Sequence, residues 1–458
     1  MDTIAAIATP IGTAGIGVIR ISGPTAVETA SRMFMHGGIE HFPTHTAHHG
    51  ALCYPRTNDH IDDVVLTVFR APTSYTGEDV VEISCHGGVA TLRAALDAAL
   101  DAGARLAEPG EFTKRAFLNG KIDLAQAEAV NDLIRAGTDS SRAVALRQLE
   151  GGLSTRIRQV NERVLGVVAA IEAAIDFPDD VPEPDPVWIE SEVLAVRTEI
   201  DELLSSFGRG RIYREGLRVV IVGRVNVGKS SLLNALLRHA RAIVTPIPGT
   251  TRDAIEESLQ IQGIPIVAID TAGLRDSEDP VERIGIEMTA KSLESADIVL
   301  LVLDISEGIT DADIGLMDRI ADKPAIAVLN KVDLLKDDAR CPDADGYLET
   351  PARKLPAVRT SASSGEGVDE LEDRIAALVG AEGVSTESIV VTNLRHQRAL
   401  ASASESLSHV LTATSASEPI DLLSVDLIAA RSALGLVTGE TASEDLVDRI
   451  FSEFCIGK

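Results

Sequence analysis

The sequence of 458 residues has few of the features that mark secreted or membrane proteins. Its four cysteines, Cys53, Cys85, Cys341 and Cys455, form no C-x-x-C pair and no even framework, which argues against a disulfide scaffold and fits a reducing cytoplasm. Long hydrophobic runs are missing too: the longest purely aliphatic stretch, Ile298 to Leu303, has the length of a strand, far short of the ~20 residues of a membrane helix. No Lys or Arg precedes Arg20, so no secretory leader is expected, and a cytoplasmic protein without a membrane partner is. Positive charge is scarce. With 42 Lys and Arg against 70 Asp and Glu the formal charge is −28, which argues against a broad electrostatic grip on nucleic acid. Local basic patches remain at Arg209, Arg211 and Arg214, at Arg395 and Arg398, and at Arg142, Arg147, Arg156 and Arg158. Any RNA contact is therefore expected to be local or shared with a partner.

What is present is a set of phosphate- and base-binding motifs in order. Gly-Arg-Val-Asn-Val-Gly-Lys-Ser at 223–230 follows the apolar run Arg218-Val-Val-Ile-Val222 and matches G-x-x-x-x-G-K-[ST] between a predicted strand and a predicted helix. Its glycines let main-chain N–H groups turn around phosphate oxygens, and the helix N-terminus adds partial positive charge. Lys229 reaches the β- and γ-phosphates, and Ser230 offers a hydroxyl to Mg²⁺. Asn226 is read either as a phosphate-facing side chain or as a turn former. Gly249-Thr-Thr-Arg-Asp253 offers Thr251 as a second metal ligand. Asp270-Thr-Ala-Gly273 ends a buried-strand pattern with an acid for the metal's water shell and a glycine N–H for the γ-phosphate.

Asn330-Lys-Val-Asp333 follows the apolar strand Ala325-Ile-Ala-Val-Leu329. The Asp333 carboxylate, an acceptor only, pairs with the two adjacent N–H donors of guanine and would repel adenine's N1 acceptor. Ser361-Ala-Ser363 closes over the base from the other side. Together the motifs predict a GTP site. Leu274 stands where a water-orienting glutamine is expected, leaving Arg252, Arg275, Asp276 and Glu282 as polar substitutes that spacing alone does not separate.

The length predicts about three domains. Residues 1–118 alternate β-like runs with one helix near 88–102 and read as a compact α+β domain. Residues 119–216 are helical, broken at Phe177-Pro-Asp-Asp-Val-Pro-Glu-Pro-Asp-Pro186. Residues 217–379 show the strand–helix alternation of a doubly wound, mostly parallel sheet, and 380–458 are helical again. The expected fold class is multidomain α/β, with the GTPase inserted into one helical domain. The last helix, near 443–452, should turn Leu446, Ile450 and Phe451 to one face.

Several further stretches carry a resemblance: Ser74-Tyr-Thr-Gly-Glu-Asp79, His86-Gly-Gly88, Pro109-Gly-Glu-Phe-Thr-Lys-Arg-Ala-Phe-Leu-Asn119, Asp123-Leu-Ala-Gln-Ala-Glu128, Ala174-Ile-Asp-Phe-Pro178, Val281-Glu-Arg-Ile-Gly285 and the terminal Phe454-Cys455-Ile-Gly-Lys458. With the GTP motifs, essentially the whole chain resembles the tRNA-modification GTPase family MnmE (TrmE). Two departures are Val225, where the family loop usually has proline, and Ser363, where many relatives carry a basic or larger residue.

The resemblance implies a homodimer with an N-terminal folate-binding domain and an FAD- and NADH-using partner, MnmG (GidA). Together they place an aminomethyl-type group on carbon 5 of the wobble uridine of certain tRNAs, with a 5-formyl- or 5,10-methylene-tetrahydrofolate as one-carbon donor. It implies a nucleotide site of Asn226, Val227, Gly228, Lys229, Ser230 and Ser231, with Thr245, Pro246, Ile247, Pro248, Gly249, Thr250 and Thr251. Asp270, Thr271, Ala272 and Gly273 belong to it, as do Asn330, Lys331, Val332 and Asp333 and the closing Ser361, Ala362 and Ser363. It further implies Mg²⁺ on Ser230 and Thr251, and K⁺ on Asn226 and the carbonyls of Thr245, Ile247 and Thr250. Glu282 is the implied water-positioning catalytic residue, and Arg20, Glu82, Lys121 and Lys458 the implied folate site. Cys455 is a possible participant in the modification chemistry. A ribosome-assembly switch and a stand-alone folate-dependent methyltransferase are the competing readings.

Overall fold

The computed structural model describes residues 2–35, 37–239, 241–242, 255–270, 292–335, 343–344, 346–349, 354–379 and 389–458. The chain forms two compact units. One gathers Met1–Asn131, Leu149–Pro186 and Ala413–Lys458; the other holds Asp132–Gln148 and Val187–Thr412.

The first unit is built on six strands, β1 (Ile4–Ile7), β2 (Ile16–Ser22), β3 (Thr46–Cys53), β4 (His60–Phe69), β5 (Val80–His86) and β6 (Arg105–Leu106). They order β3-β4-β5-β2-β1-β6, antiparallel except for the parallel β1–β6 pair. β4 buries Val64, Leu66 and Val68 in alternation, the signature of a sheet with one face on the core. Ala95, Ala98, Ala99 and Leu92 of the helix Val89–Asp101 cover that face.

The same unit holds an apolar helix pair. Gly152–Asp176 buries Leu153, Ile157, Val160, Val164, Val167 and Ile171 along one stripe, and Ile420–Thr438 presents Leu423, Leu427, Ala430 and Leu434 to it. Segments before and after the second unit's sheet thus meet. The first of these helices stops before Phe177-Pro178, where a proline disfavours helical backbone in the residue ahead of it.

The helix Glu444–Ser452 begins on Ser443, whose hydroxyl accepts the Leu446 N–H. Its seam differs from the sequence reading. Val447 and Phe451, one turn apart, are the buried pair, with Ile450 at the margin and Leu446 outside the cluster. They pack on Leu124, Ala127 and Phe117, so the face is centred one residue later than the Leu446 stripe suggested. Phe451 lies 6.2 Å from Phe117 and 5.2 Å from Phe454, ring centre to ring centre.

The second unit is built on nine strands, β7 (Leu217–Val222), β8 (Arg241–Ala242), β9 (Ile255–Ile261), β10 (Ile264–Asp270), β11 (Ile298–Asp304), β12 (Ala325–Asn330), β13 (Asp343–Ala344), β14 (Tyr347–Glu349) and β15 (Lys354–Thr360). Their order is β13-β14-β15-β12-β11-β7-β10-β9-β8. The five central strands β15-β12-β11-β7-β10 are parallel, and antiparallel pairs flank them on both sides. β11 and β12 are buried at every position, as strands covered on both faces must be, which is why they read as unbroken apolar runs. Parallel registry brings the carboxyl ends of β7, β10, β11 and β12 to one edge, where α/β sheets bind ligands.

Phe451→Ala removes a fully buried ring from the seam between the C-terminal helix and Leu124. It is expected to cost about 3–5 kcal/mol of stability in urea unfolding; an unchanged midpoint would contradict this packing.

Candidate functional site

The loop after β7 is shaped by its neighbours. Gly228 has φ +100°, and a Cβ there would meet Asn330 Nδ2 at 2.2 Å, so only glycine fits. Asn226 stands at φ +64°, a left-handed conformation that asparagine tolerates better than most residues. The turn-forming role read from the sequence is therefore visible. Lys229 opens the helix Lys229–His239 and is 8% exposed. Its ammonium donates to the carbonyls of Gly223 (3.0 Å) and Arg224 (2.7 Å), which holds it over the loop. Ser230 follows in the first turn, and the Leu232 N–H donates to Gly228 O. The loop thus runs straight into the first turn of this helix, the end of a helix that favours anions.

Asn330, at the end of β12, ties this loop to the segment after β15. Its Nδ2 donates to Val227 O at 2.8 Å, and its Oδ1 accepts from the Ala362 N–H at 3.0 Å and from Thr360 Oγ1 at 3.3 Å. Ser361 Oγ lies 2.9 Å from Ser363 Oγ, which donates to Asp333 Oδ2 at 3.4 Å. Asp333 itself is exposed, in the short 3₁₀ turn Val332–Leu334. The structure therefore brings Asn330, Asp333, Ser361, Ala362 and Ser363 together with Val227 and Gly228. β10 ends at Asp270, in register with Ile221 of β7, which brings an acid's main chain to the edge of the loop.

Thr245, Pro246, Ile247, Pro248, Gly249, Thr250, Thr251, Thr271, Ala272, Gly273 and Glu282 lie outside the described residues, as do Leu274, Arg252, Arg275 and Asp276. Among the described residues no group of three or more His, Cys, Asp or Glu could hold a metal ion.

Two acids beside this site, Asp313 and Asp304, escaped the motif reading. The Arg224 guanidinium donates from Nε to both oxygens of Asp313, at 2.9 and 3.0 Å, and from Nη1 to Glu307 at 3.2 Å. Asp313 also accepts from Thr310 N–H and Oγ1, closing a capping box on the helix Asp311–Arg319. The second is Asp304, at the end of β11. A capping box is a legible signal; a partner for Arg224 some ninety positions away is not.

The first unit has its own cluster of charge. Arg20 on β2 and Glu82 on β5 are opposite in register and ion-paired at 2.8 Å. The Arg20 guanidinium lies 5.2 Å from the Tyr75 ring centre and 5.6 Å from that of Phe112, and donates to Gly457 O at 3.1 Å. Lys458 brings its ammonium to 5.8 Å from the Tyr75 ring. Burial, then the Arg20 charge, push the Lys458 pKa below its ordinary value, with Glu82 opposing. The tail is held by its backbone: Phe112 N–H donates to Lys458 O at 3.2 Å and Gly110 N–H to Cys455 O at 3.4 Å. Gly457 is at φ +96°, and a Cβ there would meet Ile7 O at 2.4 Å, so the tail approaches β1 closer than any side chain allows.

Arg20, Glu82 and Lys458 converge; Lys121 instead donates to Pro72 O at 3.0 Å. Tyr75 and Phe112, the aromatic walls of the cluster, were missed because nothing in sequence separates them from core rings. Of the described cysteines, Cys53 and Cys85 are buried and burial pushes both thiols up, Cys85 to about 12, whereas Cys455 is exposed.

Gly228→Ala would force Asn330 off the phosphate loop. The expected cost is about 1–3 kcal/mol of stability in urea unfolding of the nucleotide-free protein, together with weaker nucleotide binding; unchanged values for both would refute the close approach.

The chain is similar to known proteins along its whole length. Residues 3–121 match the family model described as GTP-binding protein TrmE N-terminus, and residues 124–455 the one described as MnmE helical domain. A protein of Desulforamulus reducens named tRNA modification GTPase MnmE is 47% identical over 100% of this chain and 99% of its own length. One of Geobacillus kaustophilus with the same name is also 47% identical, with the same coverage. Among solved structures, Era of Aquifex aeolicus bound to GDP·AlF4⁻ matches at 28% identity, covering 41% of this chain and 66% of its own, with a TM-score of 0.28. With nearly half its residues identical to those relatives from end to end and both family models matched in order, the chain belongs to the MnmE family of tRNA modification GTPases.

Proposed function

We propose that this GTPase modifies tRNA by coupling GTP hydrolysis in the nine-stranded unit to one-carbon chemistry in the six-stranded unit. The reading divides the chain into 1–118, 119–216, 217–379 and 380–458, with the GTPase third. In the nucleotide site, Lys229 and the loop N–H groups hold the β- and γ-phosphates, and Asp333 takes the N1 and N2 donors of guanine while Ser361, Ala362 and Ser363 close over the base. Mg²⁺, which neutralises phosphate charge when bound, would sit on Ser230 and Thr251. Asp270, whose main chain ends β10 in register with Ile221, would hold that ion's water shell. Glu282 positions the water whose oxygen attacks the γ-phosphorus as the bond to the β-phosphate oxygen breaks. K⁺ would sit on Asn226 and the carbonyls of Thr245, Ile247 and Thr250, supplying positive charge where other GTPases use an arginine finger.

The observation that carries the one-carbon half is the convergence of Lys458 and of Arg20, itself paired with Glu82, on the Tyr75 ring. Two cations and one carboxylate against an aromatic wall suit an anionic, flat ligand such as a tetrahydrofolate, with Lys121 as a further cation at the margin. The proposed product is a wobble uridine carrying an aminomethyl-type group at carbon 5. It is made by a homodimer together with an FAD-bearing partner of the MnmG type, in the cytoplasm. No helix among the described residues is long and apolar enough to cross a membrane. Mass spectrometry of wobble uridines in tRNA from cells lacking the protein tests the reading directly, and unchanged uridines would overturn it.

Hydrolysis should run several-fold faster in K⁺ than in Na⁺, and Asn226→Ala should erase the difference; equal wild-type rates in the two salts would sink the K⁺ assignment. Deleting Ile456 to Lys458 removes both the Gly457 carbonyl on Arg20 and the Lys458 ammonium. Folate affinity by calorimetry should fall and tRNA modification should stop while GTP hydrolysis continues. Full affinity and normal uridines after the deletion would remove the tail from the site.

A further inference from the structure

Asp304 ends β11 and belongs to none of the sequence motifs, yet it is 3% exposed and carries a charge. Its Oδ2 lies 2.6 Å from Lys331 Nζ, and its Oδ1 accepts from Ser306 N–H at 3.0 Å and Ser306 Oγ at 2.6 Å. Burial works to raise its pKa, but the hydrogen bonds from Lys331 and Ser306 outweigh it and hold the carboxyl below its ordinary value. Lys331 stands at φ +67°, a left-handed backbone that a residue with a Cβ keeps only where its surroundings enforce it.

Among the described residues three contacts bear on this turn. The carbonyl of Asn330 accepts from Ile305 N–H at 3.2 Å, the carbonyl of Lys331 accepts from Leu334 N–H at 3.0 Å, and the Lys331 side chain is anchored on Asp304. Asp333 lies two residues further, inside the turn that this left-handed residue starts.

We propose that Asp304 is a positioning residue for base recognition: by anchoring the Lys331 ammonium it fixes the turn that sets Asp333 against the guanine edge. It governs the choice of base without touching the nucleotide. The proposal rests on the reading of Asp333 as the acceptor for guanine's N1 and N2 donors. Because a buried carboxylate and its ammonium act as a unit, removing either partner should release the turn.

The test is a fluorescence titration of the full chain with labelled GDP and with labelled IDP, whose hypoxanthine lacks the 2-amino group. For Asp304→Asn, GDP affinity should fall about tenfold, the loss of one charge-assisted hydrogen bond, while IDP affinity falls less, so the GDP/IDP preference shrinks. Lys331→Met should do the same. The double variant should be no worse than the poorer single one, since the two remove one interaction. A GDP/IDP preference unchanged in both variants, whatever their thermal stability, overturns the proposal and leaves Asp304 a structural ion pair. If Asp304→Asn does not fold, Asp304→Glu, which keeps the charge but displaces the carboxylate from Lys331, takes its place in the same comparison. A wild-type protein that binds GDP and IDP equally would instead overturn the Asp333 reading, and this proposal with it.

Discussion

Asn330 commits its side chain to the protein. One end of the carboxamide donates to Val227 in the phosphate loop and the other accepts from Ala362 and Thr360, while its own carbonyl is held by Ile305. Three strand ends, those of β7, β12 and β15, are therefore joined through a group that is 2% exposed. A buried amide that loses a partner costs about 1–3 kcal/mol for each group left unsatisfied, so the phosphate side and the base side cannot shift independently. Gly228 is bare for the same reason: the space a methyl would take is filled by the Asn330 amide.

In each unit a cation is held by several protein groups. Lys229 is parked on two loop carbonyls, and Arg20 is fixed between Glu82, the Gly457 carbonyl and two aromatic rings. A charge already oriented by neighbours loses little freedom when an anion binds, so more of the interaction appears as affinity or rate. The means differ. The nucleotide site uses main-chain carbonyls and N–H groups of a loop, whereas the first unit uses side chains from paired strands, whose antiparallel register makes Arg20 and Glu82 direct neighbours.

The residues proposed for the nucleotide stood out in sequence because they form short contiguous motifs, and buried parallel strands announce themselves as apolar runs. The residues that steady those motifs were not legible. Asp304 and Asp313 are single acids whose partners lie 27 and 89 positions away, and only the parallel register of the central strands brings them together. The helix Glu444–Ser452 was recognisable, yet its buried stripe was misplaced by one residue, since Leu446 and Val447 are equally apolar and the choice is made by Leu124 and Phe117. Nothing local in Gly457 shows that it must pass against the backbone of β1.

That passage against β1 has a bearing on how the chain is made. Arg20 finds the Gly457 carbonyl 437 residues later in the sequence. At a synthesis rate of about 5–20 residues per second, the first sheet waits roughly 20–90 s for the segment that completes its charged cluster. Until then Arg20 has its carboxylate but no tail. A chain whose synthesis stalls anywhere in the intervening sequence lacks the carbonyl to which Arg20 donates. The cluster thus reports that translation has run through both units.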